Sequence, residues 1–483
     1  MLSSMARYPL DTPPGLVTGE SAFAANGRYV DASLIRFVQT DGGIPPRAEI
    51  VGGFEALTLS QLDGITRNSF SWTDLEGRLN LAFGTHKKLY VWRSGILTDI
   101  TPTLALPPKV LPANPLAVTS GSPTVTVTHA GHGLESGETV IISAAAAIGG
   151  ITPNGTFAIT VTGDAAYTIT FGSNATSTVA AGGGTAVKIS PQRAFAAGKV
   201  NGTAGRGYGT STYGAGFYGL PSVDDTFPRT WSFDALGEAL VASPRGGTIF
   251  LWENDIALKA EPILNAPATV TAALVTDERA VVAIGCNEET SGAFNPLCIR
   301  HSDLEDYTIW TTQTDTTARE KVLVGGGRLV GAKRAGYGVF IWTNSGAFQA
   351  SYIGALDEVY RVDSLGTGCG LLGANAMAVK GQTAWWLSPD YQLQTCGLGG
   401  VPSTITLPFR GDLDANLSVS QQDKVVLSTL GAFEELWIFY PDARDGQENS
   451  RALSLNLKHG SPARHLLART SFIDAGVASY PIG

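Results

Sequence analysis

Cysteine is scarce in this chain of 483 residues. Its four cysteines, Cys286, Cys298, Cys369 and Cys396, are scattered with no CxxC pair, which excludes a disulfide scaffold and a cysteine zinc site. Buried, reduced thiols are expected, with Cys286 and Cys298 the only pair near enough in sequence to bridge a hairpin. Histidine is almost as rare. The pair in HAGH, His129 and His132, has no third ligand at a metal-binding spacing apart from Glu135, so two solvated histidines on a glycine-rich turn are expected instead.

Charge is sparse at 16% of residues, and the formal net charge is -9. Lys87–Lys88 and Lys333–Arg334 are the only basic doublets. A surface of that sign does not grip nucleic acid by counterion release, although it suits a passage along which DNA slides. No apolar run is long enough to span a bilayer, and the opening residues lack the apolar stretch of a secretion signal. Synthesis and assembly in a cytoplasm, without stable membrane insertion, are expected. Neither a phosphate-binding GK[ST] loop nor a dinucleotide-binding turn is present. No cluster of arginines, a nucleophilic tyrosine and paired carboxylates points to a glycosidase. The expectation is a protein without cofactor, metal or catalytic residues.

What the chain does have is turns and short apolar runs, with 58 glycines, 25 prolines and 43% hydrophobic residues. Few segments carry helical spacing, so an all-β fold is expected. One unit recurs, in which an apolar strand reaches a tryptophan and then a tight turn. It reads KLYVWRSG around Trp92, TIFLWEND around Trp252, VFIWTNSG around Trp342, TAWWLSPD around Trp386 and ELWIFYPD around Trp437. The last three tryptophans are spaced by roughly 45–50 residues, the period of four-stranded propeller blades. Such a unit cannot bury its own apolar face, so neighbours must stack. The five tryptophans are therefore assigned to blade cores.

Six blade candidates follow, at 67–93, 229–253, 275–310, 326–354, 375–396 and 420–457. The segment Tyr8 to Phe54, or the tail after Ser461, is left to supply a closing strand. Between the first two candidates the composition changes. From Ala113 to Ile189 charges nearly vanish, and alternating runs such as TVTVT (Thr124–Thr128) and YTITF (Tyr167 to Phe171) take over. This pattern predicts an inserted β-sandwich or barrel, introduced by the proline-rich stretch Leu106 to Pro115 as a stiff connector. The domain boundaries are then 1–112 for an N-terminal arm and first propeller part, 113–189 for the module, and 190–483 for the rest of the propeller.

Two further stretches stand out. SDLEDYTIW, at Ser302 to Trp310, partly resembles the Asp-box turn of sialidase propellers but lacks its glycine and aspartate spacing. GRGYGTSTYGAGFYG sets Tyr208, Tyr213 and Tyr218 at a regular interval among glycines. Amphipathic tyrosines on such a backbone suit docking against a partner, and equally suit a loop folded onto its own blade.

Six stretches together carry a family resemblance: NGRYVDASLIRFVQTDGGIPPRAEIVGGF (Asn26 to Phe54), GTHKKLYVWRSGILTDITP (Gly84 to Pro102), YGTSTYGAGFYG (Tyr208 to Gly219), TWSFDALGEALVASPRGGTIFLWE (Thr230 to Glu253), IRHSDLEDYTIW (Ile299 to Trp310) and CGLLGANAMAVKGQTAWWLSPD (Cys369 to Asp390). In this order they resemble the tail nozzle proteins of short-tailed phages, also called head-completion or DNA-stabilisation proteins. The resemblance covers nearly all of the chain outside the module. It implies a virion tail protein forming a homohexameric ring. That ring would join portal and adaptor proteins to a distal fibre, spike or needle, close the head after packaging, and conduct DNA without binding it specifically. The alternative function is a carbohydrate-binding receptor protein at the tail tip, with the Tyr208 to Tyr218 segment as its candidate surface. The module departs from the family's pattern, and the chain after the last unit is shorter. HAGHGLESGETVIIS (His129 to Ser143) is similar to the immunoglobulin-like or E1-type β-domains that decorate phage proteins, and implies an outward-reaching module.

Overall fold

Among the described residues, six four-stranded antiparallel sheets dominate, and each is formed by strands consecutive in the chain. The computed structural model describes residues 13–17, 21, 23–25, 28–38, 47–58, 60–105, 108–134, 136–194, 198–202, 227–325, 327–355, 358–475 and 477–483. The sheets lie at 66–99 (blade I), 231–262 (blade II), 270–322 (blade III), 329–367 (blade IV), 377–405 (blade V) and 426–465 (blade VI). First strands of successive blades, such as Trp231–Leu236 and Val270–Val275, pack side by side from I to VI. The arrangement is a six-bladed β-propeller. Among the described residues the single α-helix is Arg410–Asn416, in the connection from blade V to blade VI.

Apolar side chains at nearly every position of the second strands explain why these strands are interior. Glu435–Pro441 of blade VI is buried along its whole length, as is Gly338–Thr343 of blade IV. Such runs need cover on both faces, which only stacking between blades provides. Several glycines allow the close approach. A Cβ on Gly84 of blade I would fall 2.4 Å from the Trp231 ring of blade II, well inside contact distance, so only glycine fits there.

The tail after Ser461, one of two candidates for a closing strand, supplies Pro462–His465 as the outermost strand of blade VI. The N-terminal segment joins no blade among the described residues. Its strands Ile35–Val38 and Arg47–Ile50 pair with each other and are moored to that outermost strand. The Leu16 N–H donates to the Pro462 carbonyl (3.0 Å) and the Leu34 N–H to Nδ1 of His465 (3.2 Å), while Arg464 pairs with Asp31 at 2.9 Å.

The inserted module is a second compact unit, Thr101–Phe195, wider than the 113–189 read from composition. The proline-rich stretch is not merely a connector, because Lys109–Val110 within it pairs with the last strand of the module, Lys188–Ala194, as does Thr103–Ala105 just before it. Its nine strands form one continuous curled sheet, an open half-barrel. Strand Gly155–Gly163 makes the bend by changing partner: its first half pairs with Thr139–Ser143 and its second with Ala166–Thr170. A strand shared in this way turns a corner without a separate second sheet. Val125 and Val127 point inward while the threonines that alternate with them do not, and they join Val140, Ile159, Tyr167 and Ile189 in a single core.

Candidate functional site

Four of the five repeat tryptophans are fully interior: Trp252, Trp342, Trp386 and Trp437. Trp92 is instead half-buried at the edge of a small cluster around Leu81, Phe83 and Tyr90. The repeat is also less regular than its spacing suggests. Trp92 and Trp252 lie in the third strands of their blades, whereas Trp342, Trp386 and Trp437 lie in second strands. Three other buried indoles, Trp72, Trp231 and Trp310, were not assigned to blade cores from the sequence. The alternation of Phe70 and Trp72 in TRNSFSWT was the available signal for the first. Trp231, Trp310 and Trp386 each donate their indole N–H to a main-chain carbonyl at 2.8 Å, those of Thr85, Tyr307 and Cys369 respectively.

Tyr208, Tyr213 and Tyr218 lie outside the described residues. All four cysteines are buried free thiols, so no bridge joins Cys286 to Cys298. Cys298 pairs across the sheet with Val322, not with Cys286; the Cys286 thiol instead donates to the Cys298 carbonyl at 3.6 Å. His129 is buried rather than solvated, and packs edge-on to Tyr167. His132 accepts from the Leu134 N–H and donates from Nε2 to the Gly163 carbonyl. Both rings are thus part of the module's packing. Among the described residues no group of three or more potential ligands is placed to hold a metal. No helix there is long and apolar enough to cross a membrane. In SDLEDYTIW, Asp303 accepts from the backbone of Leu304 and Thr317, and Asp306 caps Thr308. These bonds close the turn that buries Trp310.

Polar side chains converge at the end of the ring where the first strands begin. Arg67, in the first strand of blade I, forks onto Glu448 of blade VI at 2.6 and 2.9 Å and reaches the Val200 carbonyl at 2.7 Å. The Lys424 ammonium donates to the same carboxylate and to Asn201 Oδ1, both at 2.7 Å. Gln421 exchanges two hydrogen bonds with the Gly202 backbone, and Asn375 of blade V donates to the Arg67 carbonyl. Residues 200–202 are thereby laid across the seam between the last and first blades. Burial opposes charge on Glu448, but Arg67 and Lys424 outweigh it and hold the carboxyl below its ordinary range. Burial draws the Lys424 ammonium down to about 8 in spite of its bond to Glu448. Nearby, Phe227 lies between the guanidinium groups of Arg245 and Arg328, 3.8 and 4.4 Å from its ring centre. No sequence motif marked this cluster, because its members are single residues from five parts of the chain.

A cavity of about 240 Å³ opens between blades III and IV. Its floor is Val282, Ile299, Val339, Ile341 and Ala350, all buried. Partly exposed Lys321 and Glu358, paired at 2.7 Å, stand at its rim. His301 also lines it, edge-on to Tyr360 at 5.0 Å, and the Tyr360 hydroxyl bonds to Thr276 and Glu278.

No family model matches the chain, and no curated protein does. Among solved structures, an endosialidase of phage phi92 aligns over 90% of this chain and 63% of its own length, less than two thirds, with 12% identity and a TM-score of 0.22. A streptogramin B lyase aligns over 50% of this chain and 72% of its own, with 7% identity and a TM-score of 0.32. BamB from Moraxella catarrhalis aligns over 51% and 77%, with 14% identity and a TM-score of 0.29. At these scores the likenesses carry no argument about what this chain does.

Proposed function

We propose that the chain is a structural, non-catalytic subunit of a phage tail nozzle. Six copies form a ring that joins portal and adaptor to the distal tail, closes the filled head and conducts DNA outward. The observation that carries this reading is the use to which the resembling stretches are put. Trp231, Trp310 and Trp386 come from three of them, and each buries its ring with the indole N–H bonded to main chain: Trp231 to Thr85 of the preceding blade, Trp386 to Cys369 in the connection from blade IV to blade V, and Trp310 to Tyr307 within its own turn. Gly84, from a fourth, makes room for Trp231. Residues that serve packing in this way suit a rigid wall better than a cleft. The net charge of -9 agrees with a conduit that must release the genome it carries.

Assembly tests the reading. The purified chain, mixed with portal and adaptor, should give six-fold rings stacked on the portal in electron micrographs. Persistent monomers in the presence of both partners would contradict it.

A further inference from the structure

The wedges of the propeller are filled differently. Blades I and II meet through Trp72 and Trp252, 6.3 Å apart and edge-to-face. Trp310 fills the cluster between II and III, and Trp342 packs on Trp386 at 5.5 Å between IV and V. The cluster between III and IV has no indole, only Leu, Ile, Val and Ala with a half-buried Phe348. Blades diverge toward the rim of a propeller, so a wedge filled by small side chains is left open at its outer edge. The cavity of about 240 Å³ sits in that wedge.

We propose that this wedge is a binding site for one indole-sized aromatic group that donates a single hydrogen bond. Apolar cavities of about 150 Å³ stay dry and take up benzene, so the larger space here has room for a fused ring. Ile299 of blade III and Val339 and Ile341 of blade IV supply the apolar floor. The acceptor is His301. Its Nδ1–H donates to the Ser302 carbonyl at 2.9 Å, which leaves Nε2 as a lone-pair acceptor on a ring that lines the cavity. Burial lowers the pKa of this imidazole, which favours its neutral form. Of the charged groups lining the cavity, Lys321 pairs with Glu358, Glu320 faces Arg300, and Arg319 donates to the Thr316 and Ala318 carbonyls, so the ligand needs no net charge.

Calorimetric titration of the full chain with indole and with benzothiophene, which has the same shape but no N–H, tests the proposal. Both should bind and raise the melting temperature, indole roughly three- to tenfold more tightly, the value of one hydrogen bond. His301→Leu should make the two equal. Ala350→Phe, or Val362→Phe from the half-exposed outer strand, should abolish binding of both while the protein stays folded. Tighter binding of N-acetyltryptophanamide than of indole assigns the natural occupant to a side chain of a docking protein, and its exclusion assigns it to a free small molecule. The proposal is overturned if neither bicycle binds the unaltered chain, or if either binds a filled variant undiminished.

Discussion

The interface between blades IV and V and that between III and IV are built on the same strand pattern, yet one is packed solid and the other is hollow. Trp342 and Trp386 occupy the first, both completely buried, while Val339, Ile341, Ile299 and Ala350 face one another across the second. A fully buried indole removes on the order of 150–250 Å² from water, and no combination of valines at the same positions reaches as far. What separates the two interfaces is therefore side-chain reach, not backbone geometry. First strands pack side by side at both interfaces, which keeps the hollow wedge part of the ring.

The largest expected effect lies in the solid wedge. Trp342→Ala should cost about 3–5 kcal/mol in denaturant unfolding; a loss below about 1 kcal/mol would show that the indole is not what joins IV to V. Next is the seam between VI and I, where ion pairs stand in for an indole. Glu448→Ala leaves Arg67 and Lys424 buried beside each other and should cost about 3 kcal/mol, measured in the same way. An unchanged midpoint would mean the seam is held by something else.

A smaller effect concerns blade VI and its N-terminal cover. His465 stacks on Trp437 at 4.4 Å, accepts from the Leu34 N–H and bonds to Ser454, and burial pulls its pKa down to about 3. The unfolded chain, with an ordinary imidazole near 6.5, binds the proton more readily than the folded one. Stability from this group is thus complete above about pH 6.5 and falls as pH drops toward 3, by about 1.4 kcal/mol per unit. The acid slope of the melting temperature should flatten in His465→Asn. Smallest is Ile299→Val in the hollow wedge, expected to cost about 0.5 kcal/mol, the low end for this change, because the methyl already borders empty space. A cost above 1.5 kcal/mol would mean the wedge is tighter than it looks.

Much of the architecture was readable before the structure. Six strand-rich segments ending in tryptophan or a glycine turn fell on six blades, since the period of apolar runs reports stacking directly. Even so, the tryptophans do not mark one equivalent position: Trp92 and Trp252 both lie in third strands, yet the first is half-buried and the second fully interior. The module's edges were missed since Lys109–Val110 carries no alternation of its own and is a strand only by pairing with Lys188–Ala194. The Arg67–Glu448–Lys424 cluster was invisible because residues 67, 424 and 448 are neighbours only once the ring has closed. The hollow between III and IV was legible in principle, as the absence of an indole from VTAALV, VVAIGCN and LVGAKRA. An absence of that kind gains meaning only beside the filled wedges.

Native-state hydrogen exchange, followed strand by strand, tests most directly the claim that indoles set where the ring is stiff. Amides of Arg319–Val322 and Tyr360–Thr367, the outer strands flanking the hollow, should open with distinctly lower free energy than those of Thr383–Leu387 beside Trp342. Saturating indole should slow the first two and leave the third unchanged. Equal protection across all three strands, with no response to indole, would contradict it.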